Sequence, residues 1–89
     1  DIDEAGLIAN AQGDLAAFEP LYRHYALPIF HYCHRLLGSR ESAEDATSVV
    51  FANALAALPR YRPDEGGTFR SWLFVIAHNV VTNSARAQR

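Results

Sequence analysis

Residues 14–38, "DLAAFEPLYRHYALPIFHYCHRLLG", decide the fold class. Apolar side chains recur at Leu15, Phe18, Tyr22, Tyr25, Ile29, Tyr32 and Leu36, in steps of three and four. Side chains at those spacings share one face of an α-helix, so the stretch reads as an amphipathic helix with one inward stripe. Asp14 is a helix-capping residue and Gly38 a usual left-handed terminator, which predicts a helix over 15–37. Pro20 falls early enough to be tolerated, or marks a slightly later start. Pro28 lies mid-helix and removes one backbone hydrogen bond, yet the stripe continues past it, so one bent helix is expected.

The neighbouring segments follow the same logic. Asp3 to Gln12 reads as a short helix closed by Gly13. Ser42 followed by Asp45 resembles a capping box, and a third helix is expected from Ala43 to Leu58, stopped by Pro59. Ala46, Val50, Ala54 and Leu58 would point inward, with Phe51 and Leu55 beside them. "RYRPDEGG", residues 60–67, is a loop, since Pro63 and two glycines forbid regular structure. Thr68 can cap a final helix that runs to the C-terminus. At about 100° per residue, Phe69, Trp72, Leu73, Ile76 and Val80 share one face. Ser71, His78, Thr82 and Arg89 lie opposite, with Asn79 and Arg86 on their flank. No Asn-Gly or Asp-Gly hairpin turn and no period-two alternation points to a strand. The expected fold is all-α: a compact bundle of three main helices plus a short N-terminal helix, one domain over residues 1–89. Its aromatic anchors should matter most, and truncating Trp72 or Phe51 should cost ~3–5 kcal/mol.

Composition narrows the function. The chain has 89 residues, 49% of them hydrophobic, enough for one modest core. Its lone cysteine, Cys33, forms no internal disulfide, which fits a reducing cytoplasm. No run approaches the roughly 18 apolar residues of a membrane span, and the N-terminal "DIDEAGLIAN" is acidic where a signal peptide is basic. A soluble, cytoplasmic protein without membrane association is expected. Catalysis is not. His24, His31 and His34 share a broad face of the second helix and three histidines could hold zinc, but no carboxylate sits at the right step and no HExxH occurs. They read as a solvated or half-buried polar face. "DEGGT" lacks both the spacing and the lysine of a phosphate loop. No catalytic residue, metal ligand, cofactor or small-molecule substrate is assigned.

The distribution of charge is more informative than its net value of −2. Residues 1–19 carry five acids (Asp1, Asp3, Glu4, Asp14, Glu19) and no base; residues 66–89 carry Arg70, Arg86, Arg89 and His78, and no acid. A solvated helix face normally mixes signs. On the last helix Asn79, Thr82 and Arg86 stand at i, i+3 and i+7, with Ser71, His78 and Asn83 near them. Amide, hydroxyl and guanidinium groups read base edges and hold phosphates. The loop ahead of it supplies Arg60, Tyr61 and Arg62, a basic-aromatic-basic run able to stack on an unpaired base and hold its backbone. On the third helix, Glu41, Glu44 and Asp45 make an acidic start. Ser48, Val49 and Ala52 then leave a small, weakly polar surface suited to another helix or to solvent.

"GDLAAFEPLYRHY", "AEDATSVVFANAL", "RYRPDEGGTFRSWL" and "IAHNVV", in this order and spacing, resemble region 2 of an extracytoplasmic-function (ECF) sigma factor of the sigma-70 family. The resemblance runs from about Leu7 to Arg89. It implies a transcription initiation factor domain that docks on core RNA polymerase, at the clamp helices of the largest subunit. Glu44, Asp45, Ser48 and Val49 would make that contact, with Arg23 and Tyr25 near. It implies that Arg60, Tyr61 and Arg62 capture a base flipped from the non-template strand of the promoter minus-ten element. Ser71, His78, Asn79, Thr82, Asn83 and Arg86 would read that strand, with Asn79 matching the family's DNA-contacting asparagine. An anti-sigma factor is implied as a regulator. Two departures stand out: the family usually has Gln-Glu where this chain has Ser48-Val49, and "NSARAQR" is sparser in base than the family's usual ending. The family's helix-turn-helix domain for the minus-thirty-five element has no counterpart in residues 1–89, so an excised domain is favoured over a reduced relative. The rival reading is a helical interaction module, an adaptor or anti-sigma-bound domain, that does not itself read DNA.

Overall fold

The computed structural model describes residues 3–63 and 65–87, with side chains described as far as Ser84. Four α-helices account for most of them: α1 (Glu4–Gly13), α2 (Glu19–Leu37), α3 (Arg40–Ala57) and α4 (Phe69–Ala87). Among the described residues there is no strand, and no helix is long and apolar enough to cross a membrane. The all-α expectation holds.

Local chemistry sets the boundaries. Asp3 accepts from the Gly6 amide and starts α1. Asp14 caps, as expected, but what it caps is a 3-10 turn, Leu15–Phe18, with its carboxylate accepting from the Ala16 amide at 3.1 Å. The expected helix over 15–37 therefore divides, and α2 proper starts at Glu19. Pro20 then occupies the first turn, where its missing N–H costs nothing. α2 runs continuously across Pro28 to Gly38, whose left-handed backbone (φ 78°) ends it. The third helix begins earlier than its sequence suggested. Ser39, not Ser42, is the cap, accepting from the Ser42 amide at 3.2 Å. A single extended residue thus separates Gly38 from α3, and the two helices form a tight hairpin. At its far end α3 passes into a second 3-10 turn, Leu58–Arg60, around Pro59.

α3 packs most extensively on α2, then on α4, and α1 closes one end of the bundle. The core is made of Ile8, Ala11, Phe18, Leu21, Tyr25, Ile29 and Cys33 from the first half of the chain. Ala43, Ala46, Val50, Phe51, Ala54 and Leu58 follow, and then Phe69, Leu73, Ala77, Val80 and Val81. This corrects part of the expected stripe, of which Phe18, Tyr25 and Ile29 are inside as expected. Leu21 and Cys33 are inside at 0% exposure, whereas Tyr22 and Leu36 are 45% and 53% exposed. On α4 the inward set gains Ala77 and Val81, while Trp72 and Ile76 are only half-buried. Phe51 is buried as expected, with its ring set edgewise against Phe18 and Tyr22.

Candidate functional site

The loop between α3 and α4 encloses an open cavity of about 360 Å³, lined by Arg60, Tyr61, Arg62, Glu65, Gly66, Thr68, Ser71, Trp72 and Val75. A reciprocal cap fixes its floor. The Ser71 amide donates to Thr68 Oγ1 and the Thr68 amide to Ser71 Oγ, both at 3.0 Å, so loop and helix meet at one set geometry. The inner wall is aromatic: the Tyr61 ring lies 5.5 Å from Phe69 and 5.0 Å from Trp72. Burial pushes the Tyr61 hydroxyl pKa up, and the negative charge of Glu4 adds to it. The half-buried Tyr61 ring is thus braced by Phe69 and Trp72. Arg60 and Arg62 are exposed, and among the described residues neither is in an ion pair. Their guanidinium groups can reach an anion at the cavity mouth, while Glu65 puts one acid on the rim.

From the cavity a stripe climbs α4. Ser71, Val75, His78 and Asn79 are exposed and Thr82 is half-buried, on the side away from Leu73 and Ala77, while exposed Asn83 lies at the edge that faces α3. Arg86 belongs to the same helix, but its side chain lies outside the described residues, as does Arg89. Tyr32 of α2 supports the stripe from below, with its hydroxyl 3.3 Å from His78 Nδ1. Arg70 turns aside and lies over the Phe74 ring at 4.8 Å. Five lining residues fall outside the candidate set: Glu65, Gly66, Thr68, Trp72 and Val75. Val75 is apolar and carries no polar signal, although it sits one turn before Asn79. Trp72 was counted as core, yet it also faces the cavity.

The residues tied to protein contact fall on two grooves. Arg23, Glu44 and Ser48 line one of about 490 Å³ between α2 and α3, together with Tyr22, Leu27 and Phe30. A further hollow of about 520 Å³ along the same helices shares Tyr22, Thr47 and Ser48 with it. Asp45 and Val49 instead line a groove of about 310 Å³ between α3 and α4, where they meet Asn83. Arg23 and Glu44 are exposed and each makes an i,i+4 ion pair, with Glu19 at 3.4 Å and Arg40 at 3.3 Å. Tyr25 departs from expectation. It is 3% exposed and its hydroxyl donates to the Glu4 carboxylate, which makes it a core residue with no surface to offer. Burial, followed by that bond, pushes its pKa up to about 12.

His24, His31 and His34 are all exposed, and His34 stacks on Phe30. Among the described residues, no group of three or more His, Cys, Asp or Glu is placed to hold a metal ion. Cys33 is fully buried and burial pushes its thiol pKa up, the direction that disfavours a reactive thiolate.

The family described as Sigma-70 region 2 matches residues 21–89. The chain is 33% identical over 84 residues to the ECF RNA polymerase sigma factor BldN of Streptomyces coelicolor, covering 93% of this chain and 31% of that protein. It is 34% identical over 67 residues to the RNA polymerase sigma factor YlaC of Bacillus subtilis, covering 75% of this chain and 38% of that protein. It is 29% identical over 79 residues to the ECF RNA polymerase sigma factor SigL of Mycobacterium tuberculosis, covering 89% of this chain and 44% of that protein. The chain thus spans less than half the length of these curated relatives. No solved structure matches at a comparable level of significance.

Proposed function

The chain belongs to the Sigma-70 region 2 family, and from that premise we propose that it docks on core RNA polymerase and reads the melted non-template strand of a promoter minus-ten element. One observation carries the reading: the loop cavity opens directly onto the acid-free stripe of α4, through the shared residues Ser71 and Val75. Its volume falls within the roughly 300–1,000 Å³ usual for small-ligand pockets, room for one unstacked base. Arg60 and Arg62 hold the phosphates beside that base, and Trp72 and Tyr61 form the wall it lies against. Asn79, Thr82, Asn83 and Arg86 read or hold the nucleotides that follow along the helix. Unpairing and unstacking a base costs a few kcal/mol, so a pocket that traps it favours the open promoter.

Core polymerase meets α3. Arg23, Glu44 and Ser48 on the α2/α3 groove, with Asp45 and Val49 on the α3/α4 groove that also holds Asn83, form the docking surface at the clamp helices, so the two surfaces adjoin at Asn83; buried Tyr25 is no part of either. The chain performs no catalysis of its own, works in the cytoplasm with the polymerase, and is held in check by an anti-sigma factor. The apolar hollow between α2 and α3, lined by Leu15, Phe18, Tyr22, Phe51 and Leu55, also favours a second reading, a pure interaction module, for which the α4 stripe would be dispensable. Promoter opening separates the two. Asn79→Ala or Arg62→Ala should lower opening by core-bound protein while leaving core affinity nearly unchanged, and Asp45→Arg should lower core affinity. Unchanged opening in Asn79→Ala and Arg62→Ala would favour the interaction module.

A further inference from the structure

Helix α1 lies N-terminal to the stretch that the family matches, residues 21–89. Its inward face is apolar in the middle and polar at both ends. Ile8 and Ala11 are buried, at 6% and 0% exposure. At one end Glu4 accepts the Tyr25 hydroxyl of α2. At the other, Gln12 Nε2 donates to the Leu58 carbonyl at 3.1 Å and to the Tyr61 carbonyl at 2.8 Å. Both carbonyls belong to the turn that follows α3, where a helix end leaves acceptors without partners. Pro59 and Pro63 have no N–H, so this segment is short of donors of its own; the Tyr61 amide, bonded to Leu58 O at 3.0 Å, is one that remains. Gln12, 46 and 49 residues away, adds a second donor to the Leu58 carbonyl and supplies one to the Tyr61 carbonyl. The backbone it grips carries Arg60 and Tyr61, which line the cavity.

We infer that Gln12 is a positioning residue for the loop cavity, holding the Leu58–Tyr61 backbone so that the cavity has its shape before a base enters. The inference rests on reading that cavity as the base-binding site. The chemistry asks for glutamine in particular. A single amide nitrogen offers two hydrogens to two carbonyls; glutamate offers none at neutral pH, asparagine is one methylene short, and leucine fills the space without donating.

The test uses Gln12→Glu and Gln12→Leu, with Trp72, the sole tryptophan, as reporter of the cavity wall. In the chain alone, both variants should show increased acrylamide quenching and a red shift of Trp72 emission, with far-UV circular dichroism unchanged. In the core-bound chain, affinity for single-stranded minus-ten oligonucleotides should fall about tenfold, the loss expected for two neutral hydrogen bonds. That fall should be largest for the oligonucleotide with the preferred base at the cavity, and core affinity should not change. A general structural weakening would instead lower all affinities together. Unchanged Trp72 quenching in both variants would overturn the inference and leave the reading of the site intact. Altered quenching with undiminished selectivity would also overturn it. If wild type itself selected no oligonucleotide, the reading of the site would fall, and the tether would then be judged on Trp72 alone.

Discussion

Replacing Gly67 with alanine tests how the loop is seated on α4. Gly67 has φ +75°, and a Cβ added there would lie 3.0 Å from Ser71 Oγ. That oxygen is not free to retreat. It accepts the Thr68 amide at 3.0 Å and donates to the Thr68 carbonyl at 2.9 Å. Two costs therefore add. A non-glycine residue in the left-handed region costs roughly 1 kcal/mol. Displacing Ser71 Oγ breaks one half of the helix cap, for about 1 kcal/mol more. Gly66 isolates the first cost, since it has φ +91° with nothing within 4 Å of an added Cβ. At roughly 4–8 °C per kcal/mol for a domain of this size, Gly66→Ala should lower Tm by about 4–8 °C and Gly67→Ala by about 8–16 °C. Thermal melts followed by circular dichroism give both values. Equal losses of Tm would refute the coupling between the loop backbone and the Ser71 cap.

Tyr25 gives a pH signature. Its pKa of about 12 in the folded chain lies above the ordinary 10.0, so between those values the unfolded chain has lost a proton that the folded chain keeps. Stability is then full below pH 10 and falls as pH rises towards 12, by roughly 3 kcal/mol for two pKa units. Tyr25→Phe should flatten the alkaline limb of a urea-unfolding series between pH 9 and 12 and, by leaving Glu4 without its donor, cost about 1 kcal/mol at neutral pH; an unchanged limb would discount the Tyr25 contribution. Phe51→Ala should cost ~3–5 kcal/mol, since the ring is 5% exposed and meets both Phe18 and Tyr22. Trp72→Ala should cost less, because Trp72 is only half-buried, and should act mainly on oligonucleotide binding; chemical denaturation of the two variants settles the order.

The helices were legible because their punctuation is chemical: Asp3, Asp14, Gly38, Pro59 and Thr68 all act at helix ends or turns, in the structure as in the sequence. What failed was part of the expected stripe over 15–37: Phe18, Tyr25 and Ile29 are buried as read, but a stripe drawn through Tyr22 and Tyr32 follows residues that sit comfortably at a core's edge, while the adjacent Leu21 and Cys33 are inside. Ser42 carries the capping-box pattern, yet Ser39 is the cap, because α3 follows within one extended residue of the Gly38 terminator. The cavity's polar members could be read from the loop. Its Val75 wall could not, because an apolar residue on a polar stripe carries no chemical signal of its own. Tyr25 had already been placed on the inward stripe, and burial prevails over its assignment to the docking surface. Gln12 was beyond reach altogether, since its meaning comes from two carbonyls far along the chain.

The most direct test is binding of the chain, pre-mixed with core polymerase, to short single-stranded non-template oligonucleotides of varied minus-ten sequence at 50 and 200 mM salt. The account predicts sequence-dependent binding that disappears in Asn79→Ala. With Arg60, Arg62 and Arg86 as three phosphate contacts, affinity should fall about 20-fold across that salt range, from a slope of roughly −0.7 per contact. Core binding with equal affinity for every sequence, or with no oligonucleotide bound, would contradict it.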